Sequence, residues 1–261
     1  MAPDYEKLFS AFINEAADAA GDIALKYFRK DLRIEDKQDS SPVTQADKQI
    51  ETLLRDRIAK TFPNHGIVGE EFGNERIDAE FVWVLDPIDG TRAFMTGKPL
   101  FGTIIGLMHD GKPILGCVDQ PYTKERWFGV DGTTATHNGK PIRVAPPCKL
   151  DASRLYITLP NNLRGENLEN LFDLCRAAKW PQFNCDCYAY GLLAMGCCDL
   201  VVEDRLKIHD VAGIVPILTG AGGFAADWNM NPIGFDFTGE MVAASTHDLA
   251  AEAVNVLKEL V

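Results

Sequence analysis

Trp83-Val84-Leu85-Asp86-Pro87-Ile88-Asp89-Gly90-Thr91 is the stretch that decides how the rest of this chain is read. Residues 81–85 form a short apolar strand that delivers two carboxylates, three residues apart, at its C-terminal end. Pro87 withholds a ladder N–H and bends the chain, so the carboxylates converge instead of pointing to opposite faces. Gly90 permits a tight turn and close backbone approach, and Thr91 stands where a short helix begins. Carboxylates beside a backbone carbonyl make a hard oxygen donor set, suited to Mg2+ or Mn2+ rather than zinc. Amides at a helix start suit a phosphate. Taken singly, Asp-Pro and Asp-Gly are common turn dipeptides. Their acidic company shifts the balance: Glu70-Glu71 close another short strand, and Asp210 lies near the start of a helix expected over 209–219. Gathering these carboxylates is costly unless cations occupy the site.

Around this stretch the 261 residues, at roughly 150 per domain, make one large domain or two modest ones. Apolar positions recur at helical spacing over 4–30: Leu8, Phe9, Phe12, Ile13, Ala16, Ala20, Ile23, Ala24, Tyr27 and Phe28. Residues 31–43 read as polar and irregular. A second helix starts at Thr44, with Asp47 as its capping partner, and Pro63-Asn64-His65-Gly66 stops it. Hairpins are expected for 102–108 and 113–119 around Asp110-Gly111, and for 126–130 before Asp131-Gly132, with a further turn at Asn138-Gly139. Pro146-Pro147 divides an N-terminal α+β subdomain (1–147) from a C-terminal α/β subdomain (148–261). The second half reads as strand 154–159, helices 166–178 and 187–196, strand 199–203, helix 209–219, strands near 223–228 and 241–244, and helix 247–260. Ser245 or Thr246 caps the last helix. Layered helices and mixed sheets are the expected architecture.

A formal charge of −12 repels phosphate backbones and anionic membranes, which argues against a nucleic-acid partner. No apolar run reaches the roughly 18 residues of a membrane span, and MAPDYEKLFS lacks the order of a signal peptide, so a soluble cytoplasmic protein is expected. The odd count of seven cysteines argues against a disulfide framework; Cys185-x-Cys187 and Cys197-Cys198 lack zinc-ligand spacing and read as small buried thiols. The histidines are scattered, and HExxH, GxSxG and GxxxxGK(S/T) are absent. Gly220-Ala221-Gly222-Gly223 is a helix stop rather than a dinucleotide fingerprint.

Three segments in register give these acids a context. Gly69-Glu70-Glu71, Asp86-Pro87-Ile88-Asp89-Gly90-Thr91 and Asp210-Val211-Ala212-Gly213 resemble the signatures of the inositol monophosphatase family, over essentially the whole chain. The resemblance implies the sugar-phosphatase fold, an αβαβα layered sandwich shared with fructose bisphosphatase and usually assembled as a homodimer. It implies a lithium-sensitive hydrolase of a small-molecule phosphate ester, with two or three Mg2+ per subunit, or Mn2+, and no membrane partner. Glu70, Asp86, the Ile88 carbonyl, Asp89 and Asp210 match the family's metal ligands. Thr91 and Asp47 match the pair that orients and deprotonates the attacking water, with Glu70 joining them as a catalytic residue. The Gly90 and Thr91 amides match the phosphate cradle. The implied chemistry is in-line displacement by metal-activated water without a phosphoenzyme. Asp86-x-x-Asp89 also departs from the DxDx(T/V) loop of haloacid dehalogenase phosphatases. A catalytically silent member would typically lack a ligand or the Thr91–Asp47 pair, and all are present.

Counting back from Asp210, the substrate-facing positions are 184–186 and Glu203. In inositol phosphatases the position of Asp186 is small and neutral, while that of Glu203 is an acid that binds a polyol. An extra carboxylate suits a substrate with a cation opposite its phosphate. Such a pair gives roughly 4 kcal/mol of gross attraction at about 4 Å and an effective dielectric near 20. L-Histidinol phosphate carries an ammonium and an imidazole. Arg92-Ala93-Phe94-Met95-Thr96-Gly97-Lys98-Pro99 and Asp186-Cys187-Tyr188-Ala189-Tyr190-Gly191-Leu192 also resemble the histidinol-phosphate phosphatase branch, so histidine biosynthesis is the leading expectation and a broader inositol or sugar phosphatase the alternative. Asp186 reads equally as an N-cap of the 187–196 helix, and Glu203 as a solvated acid at a strand end. Arg92, Lys98, Arg205 and Lys207 are candidates for steering the anionic end, or plain surface charges.

Overall fold

Two sheets and three helical layers organise the residues described in this computed structural model, 3–30, 34–36, 42–158 and 168–258. The chain enters through α1 (Pro3–Tyr27), whose apolar stripe buries Phe9, Ile13, Ala16, Ala20 and Ala24. Leu8, expected on that stripe, lies on the outer face at 49% exposure. The region read as irregular carries two short paired strands, β1 (Ile34–Asp36) and β2 (Pro42–Thr44), too short to show a period. Thr44 then caps α2 (Gln45–Thr61): its hydroxyl accepts the Ala46 N–H, and the Asp47 carboxylate accepts the Thr44 N–H at 2.9 Å, the capping pair expected.

Next come β3 (Gly66–Gly69), β4 (Gly73–Glu75), β5 (Phe81–Asp89) and α3 (Thr91–Met95). A meander of β6 (Gly102–His109), β7 (Lys112–Gln120), β8 (Glu125–Val130), β9 (Thr134–His137) and β10 (Lys140–Pro141) completes a sheet ordered β10-β9-β8-β7-β6-β5-β3-β4. Within it β3 and β5 run parallel. After a 3-10 turn at Leu150–Ala152, the second half contributes β11 (Arg154–Ile157), α4 (Leu168–Ala177), β12 (Trp180–Phe183), α5 (Asp186–Ala194) and β13 (Leu200–Glu203). It ends with α6 (Ile208–Val211), α7 (Val215–Gly220), β14 (Phe224–Asp227), β15 (Met241–Ala244) and α8 (His247–Lys258), in a sheet ordered β12-β11-β13-β15-β14.

Strand periodicity of two sorts the core into layers. Leu107, Leu115 and Cys117 join α1 and α2, whereas Ile104, Val118 and Trp127 on the opposite face join α5, α6 and α7. Leu155, Val202 and Ala244 of the smaller sheet pack with α4 and α8. The order is αβαβα, the layered fold expected.

The expected helix 209–219 is two helices. Gly213 interrupts it where the backbone presses on β6 and β7: a Cβ on Gly106 or Gly116 would overlap Gly213. Pro216 starts α7, where a missing N–H is tolerated. The strand expected over 154–159 ends at Ile157, with residue 159 outside the described residues. Residues 166–167 and 259–260 of two expected helices also lie outside them. Thr246 is the cap of α8, accepting the Leu249 N–H at 3.2 Å. All seven cysteines are free; Cys185, Cys187 and Cys198 are buried as expected but Cys197 is exposed, while Cys117 is buried and Cys148 and Cys175 are half-buried. No helix among the described residues is long and apolar enough to cross a membrane.

Candidate active site

Because β3 and β5 are parallel and pair Gly69 with Leu85, both strands end at the same edge, and the Glu70 N–H donates to the Leu85 carbonyl at 3.2 Å. The register of β5 on β6 shifts between Asp86 and Asp89, the irregularity expected from Pro87, whose carbonyl accepts the Thr103 hydroxyl at 2.8 Å. The acids converge: one oxygen each from Asp86, Asp89 and Asp210 lie within 4.8 Å of one another. A second set, equally close, joins Glu70 and Asp86 to a ring nitrogen of His209. Asp210 reaches the cluster from α6, its carboxylate fixed by the Lys207 N–H at 2.5 Å. Gly90 turns the chain with φ +75° and precedes α3; a Cβ there would lie 3.1 Å from the Asp186 carboxyl. The Thr91 hydroxyl donates to the Ile88 carbonyl at 3.0 Å. Asp47 takes the Thr44 N–H and hydroxyl on Oδ2, while its buried Oδ1 has no hydrogen-bond partner. Among the described residues Thr91 and Asp47 share no direct hydrogen bond.

Burial is the largest electrostatic influence. It pushes the Asp86 carboxyl well above the usual range, with Glu70, Asp89 and Asp210 adding repulsion. Asp89 is raised by burial and by Asp186 and Asp210, Asp210 chiefly by burial, and Asp47 by burial to about 6. Asp86 is 2% exposed and its Oδ1 also lacks a hydrogen-bond partner. Mutually repelling, partly unsatisfied carboxylates with hard oxygen donors fit divalent cations.

The substrate wall differs from expectation in two places. Asp186 is not a cap: Cys185 holds the N-cap position of α5 without a side-chain hydrogen bond, and Asp186 is the first helical residue at φ +48°. The next amide, of Cys187, donates to Asp89 at 2.6 Å and ties α5 to the acidic cluster. Burial raises Asp186 to about 6, partly offset by the positive charges of Lys98 and Arg92. Glu203 is not solvated: it is 5% exposed, accepts the Tyr190 hydroxyl at 2.6 Å, and is pushed to about 7 by burial. Its repulsion with Asp186 and Asp210 locates it at the same site. Asn184 is exposed, and Arg205 lies 3.7 Å from Asp204.

Two residues went unread in the sequence. Glu51 is fully buried and accepts the N–H groups of Glu71 and Phe72 at 2.7 and 3.1 Å and Arg55 Nε at 2.8 Å, which fixes the turn carrying Glu70. Its place four residues after Asp47, on one helix face, is the signal that could have found it. His209 was detectable by its adjacency to Asp210.

The inositol monophosphatase family model matches residues 4–260. This chain belongs to the inositol monophosphatase family. It is 46% identical over 246 residues to the bifunctional phosphatase IMPL2, chloroplastic, of Arabidopsis thaliana, a match spanning 93% of this chain and 71% of that protein. A histidinol-phosphatase of Chlorobaculum parvum is 35% identical over 222 residues, 82% of this chain and 83% of that one. The solved structure of an inositol monophosphatase from Zymomonas mobilis is similar at a TM-score of 0.88 and 39% identity, covering 99% of this chain and 100% of that one. The chain is a phosphatase, and enzymes of this family are metal-dependent, usually on Mg2+.

Proposed function

We propose that this phosphatase hydrolyses L-histidinol phosphate to L-histidinol and phosphate, a step of histidine biosynthesis. The observation that carries the reading is Asp186: a half-buried carboxylate against Gly90, with Glu203 as a second acid nearby. A neutral polyol offers hydroxyl donors but no positive charge to two desolvated carboxylates, whereas the substrate's ammonium offers charge as well. The histidinol-phosphatase relative supports the same direction.

Glu70, Asp86, the Ile88 carbonyl, Asp89 and Asp210 would hold the Mg2+ ions. Bound there, divalent ions supply a lowered pKa for the attacking water and positive charge for the leaving oxygen. The free Oδ1 of Asp47 accepts the water's proton, a role suited to a carboxyl raised to about 6. Thr91, whose hydroxyl proton is committed to Ile88, presents its lone pairs to orient that water. The amides of Gly90 and Thr91 hold the phosphate oxygens. The water oxygen bonds to phosphorus in line as the ester P–O bond breaks, and the alkoxide takes up a proton from solvent water, whose hydroxide is neutralised by the proton that Asp47 releases.

Phosphate release with Mg2+ from L-histidinol phosphate, inositol monophosphate and fructose bisphosphate, side by side, tests this. The expected result is a kcat/KM at least about tenfold higher for L-histidinol phosphate, equivalent to about 1.4 kcal/mol. A higher value for inositol monophosphate would favour the second reading, an inositol phosphatase, which the Zymomonas mobilis likeness supports.

A further inference from the structure

His209 has no part in the chemistry above. We propose that it supplies a nitrogen ligand to a divalent ion held with Glu70 and Asp86, making that subsite a mixed nitrogen–oxygen one that favours Mn2+ over Mg2+. The inference rests on the metal-dependent reading of the acidic cluster and adds a donor to it. A ring nitrogen of His209 and one oxygen each of Glu70 and Asp86 lie within 4.8 Å of one another. Ligands about 2.1 Å from one ion lie about 3.0 Å apart when adjacent and about 4.2 Å apart when opposite, so a small side-chain adjustment closes the set. A second observation points to a ligand: Asp86, a member of this set, is 2% exposed and has a buried Oδ1 with no hydrogen-bond partner.

The imidazole itself is unspent. It is 7% exposed, makes no hydrogen bond among the described residues, and its Nε2 stands 3.6 Å from Asp210 Oδ1, beyond hydrogen-bond reach. Imidazole binds transition ions in preference to Mg2+, which prefers oxygen alone, and this sets the direction of the metal preference. None of the other histidines joins either acidic set among the described residues. His65 pairs with Trp83 Nε1 at 3.1 Å, His109 with Glu80 at 3.1 Å, His137 lies 3.3 Å from Glu125, and His247 is exposed beside Asp248.

Electron spin-echo modulation of the full-length protein, titrated with one, two and three equivalents of Mn2+, reads this directly. Wild type is expected to show nitrogen coupling of a directly bound imidazole, and growth on histidine carrying the heavy nitrogen isotope should change the coupling pattern without any substitution. His209→Asn should abolish the coupling and weaken Mn2+ binding about tenfold or more by calorimetry, with Mg2+ binding changed much less. Bound Mn2+ without nitrogen coupling in wild type, or coupling that persists in His209→Asn, overturns the proposal. If that happens while Mg2+-dependent phosphate release is intact, the phosphatase reading stands and only this inference falls. Wild type that binds no Mn2+ overturns it too.

Discussion

Asp86 is a carboxylate with one unpartnered oxygen, surrounded by Glu70, Asp89 and Asp210. In metal-free protein, Asp86→Asn removes a charge that burial and repulsion both oppose. Its Tm in chelator should rise, by about 2–4 °C for each 1 kcal/mol relieved in a chain of this size. Mg2+-dependent phosphate release should fall at least about a hundredfold. A lower Tm in chelator would mean the charge is not strained there. Asp186 allows a cleaner substitution, because Asn tolerates the left-handed backbone at φ +48° as Asp does. Asp186→Asn should not lower Tm, while kcat/KM for L-histidinol phosphate drops at least about tenfold and that for inositol monophosphate stays within about twofold. Equal losses on both substrates would remove charge matching from the account. The acids at strand ends and helix starts were readable because their partners lie in three short motifs. The surroundings of Glu203 were not: Tyr190, thirteen residues earlier, reaches it only once α5 is packed on β13.

Glu51 transmits the position of α2 to the turn after β3. It satisfies two amides of that turn and holds Arg55, which reaches the Gly73 carbonyl and Glu75 beyond it. Gly69 is small for the same reason, since a Cβ there would overlap the Glu51 carboxylate. Glu51→Ala should destabilise by about 3–5 kcal/mol, because two amides lose their acceptor and the half-buried Arg55 guanidinium loses one of its acceptors. Glu51→Gln, which keeps the shape, should fold, yet weaken Mg2+ affinity about tenfold or more by calorimetry, with activity recovering at high Mg2+. Unchanged Mg2+ affinity in Glu51→Gln would make Glu51 a structural residue with no hold on Glu70. The helices were legible wherever a stripe repeated, and the meander wherever Asp-Gly marked its turns. Edge strands such as β4, with every residue exposed, have no apolar period to read. The α6–α7 break follows from Gly213 meeting two glycines on β6 and β7, a contact that no local pattern encodes.

At the scale of the molecule, both halves of the chain place acid in one region: Asp47, Glu70, Asp86 and Asp89 from the first, Asp186, Glu203 and Asp210 from the second. Their charge adds to a chain already at −12. Asp47 and Asp186 titrate near 6 and Glu203 near 7, and Asp86, Asp89 and Asp210 are raised as well. The folded protein therefore keeps protons at pH values where the unfolded chain, with ordinary carboxyls near about 4, has released them. With more protons on the native state, unfolding free energy falls as pH rises. The contribution of Asp47, Asp186 and Glu203 is fully present below about pH 4 and is lost on passing through about 6 and 7. Divalent ions bind the ionised carboxylates, so their stabilisation has the opposite slope. In chelator, Tm should decline between about pH 5 and about pH 8, and saturating Mg2+ should cancel or reverse the decline, so that the gap between the two curves widens with pH. Calorimetric scans at matched ionic strength measure both curves. A metal-free Tm that climbs across that window would mean these acids ionise without penalty, and the electrostatic case for a cation cage would fail with it.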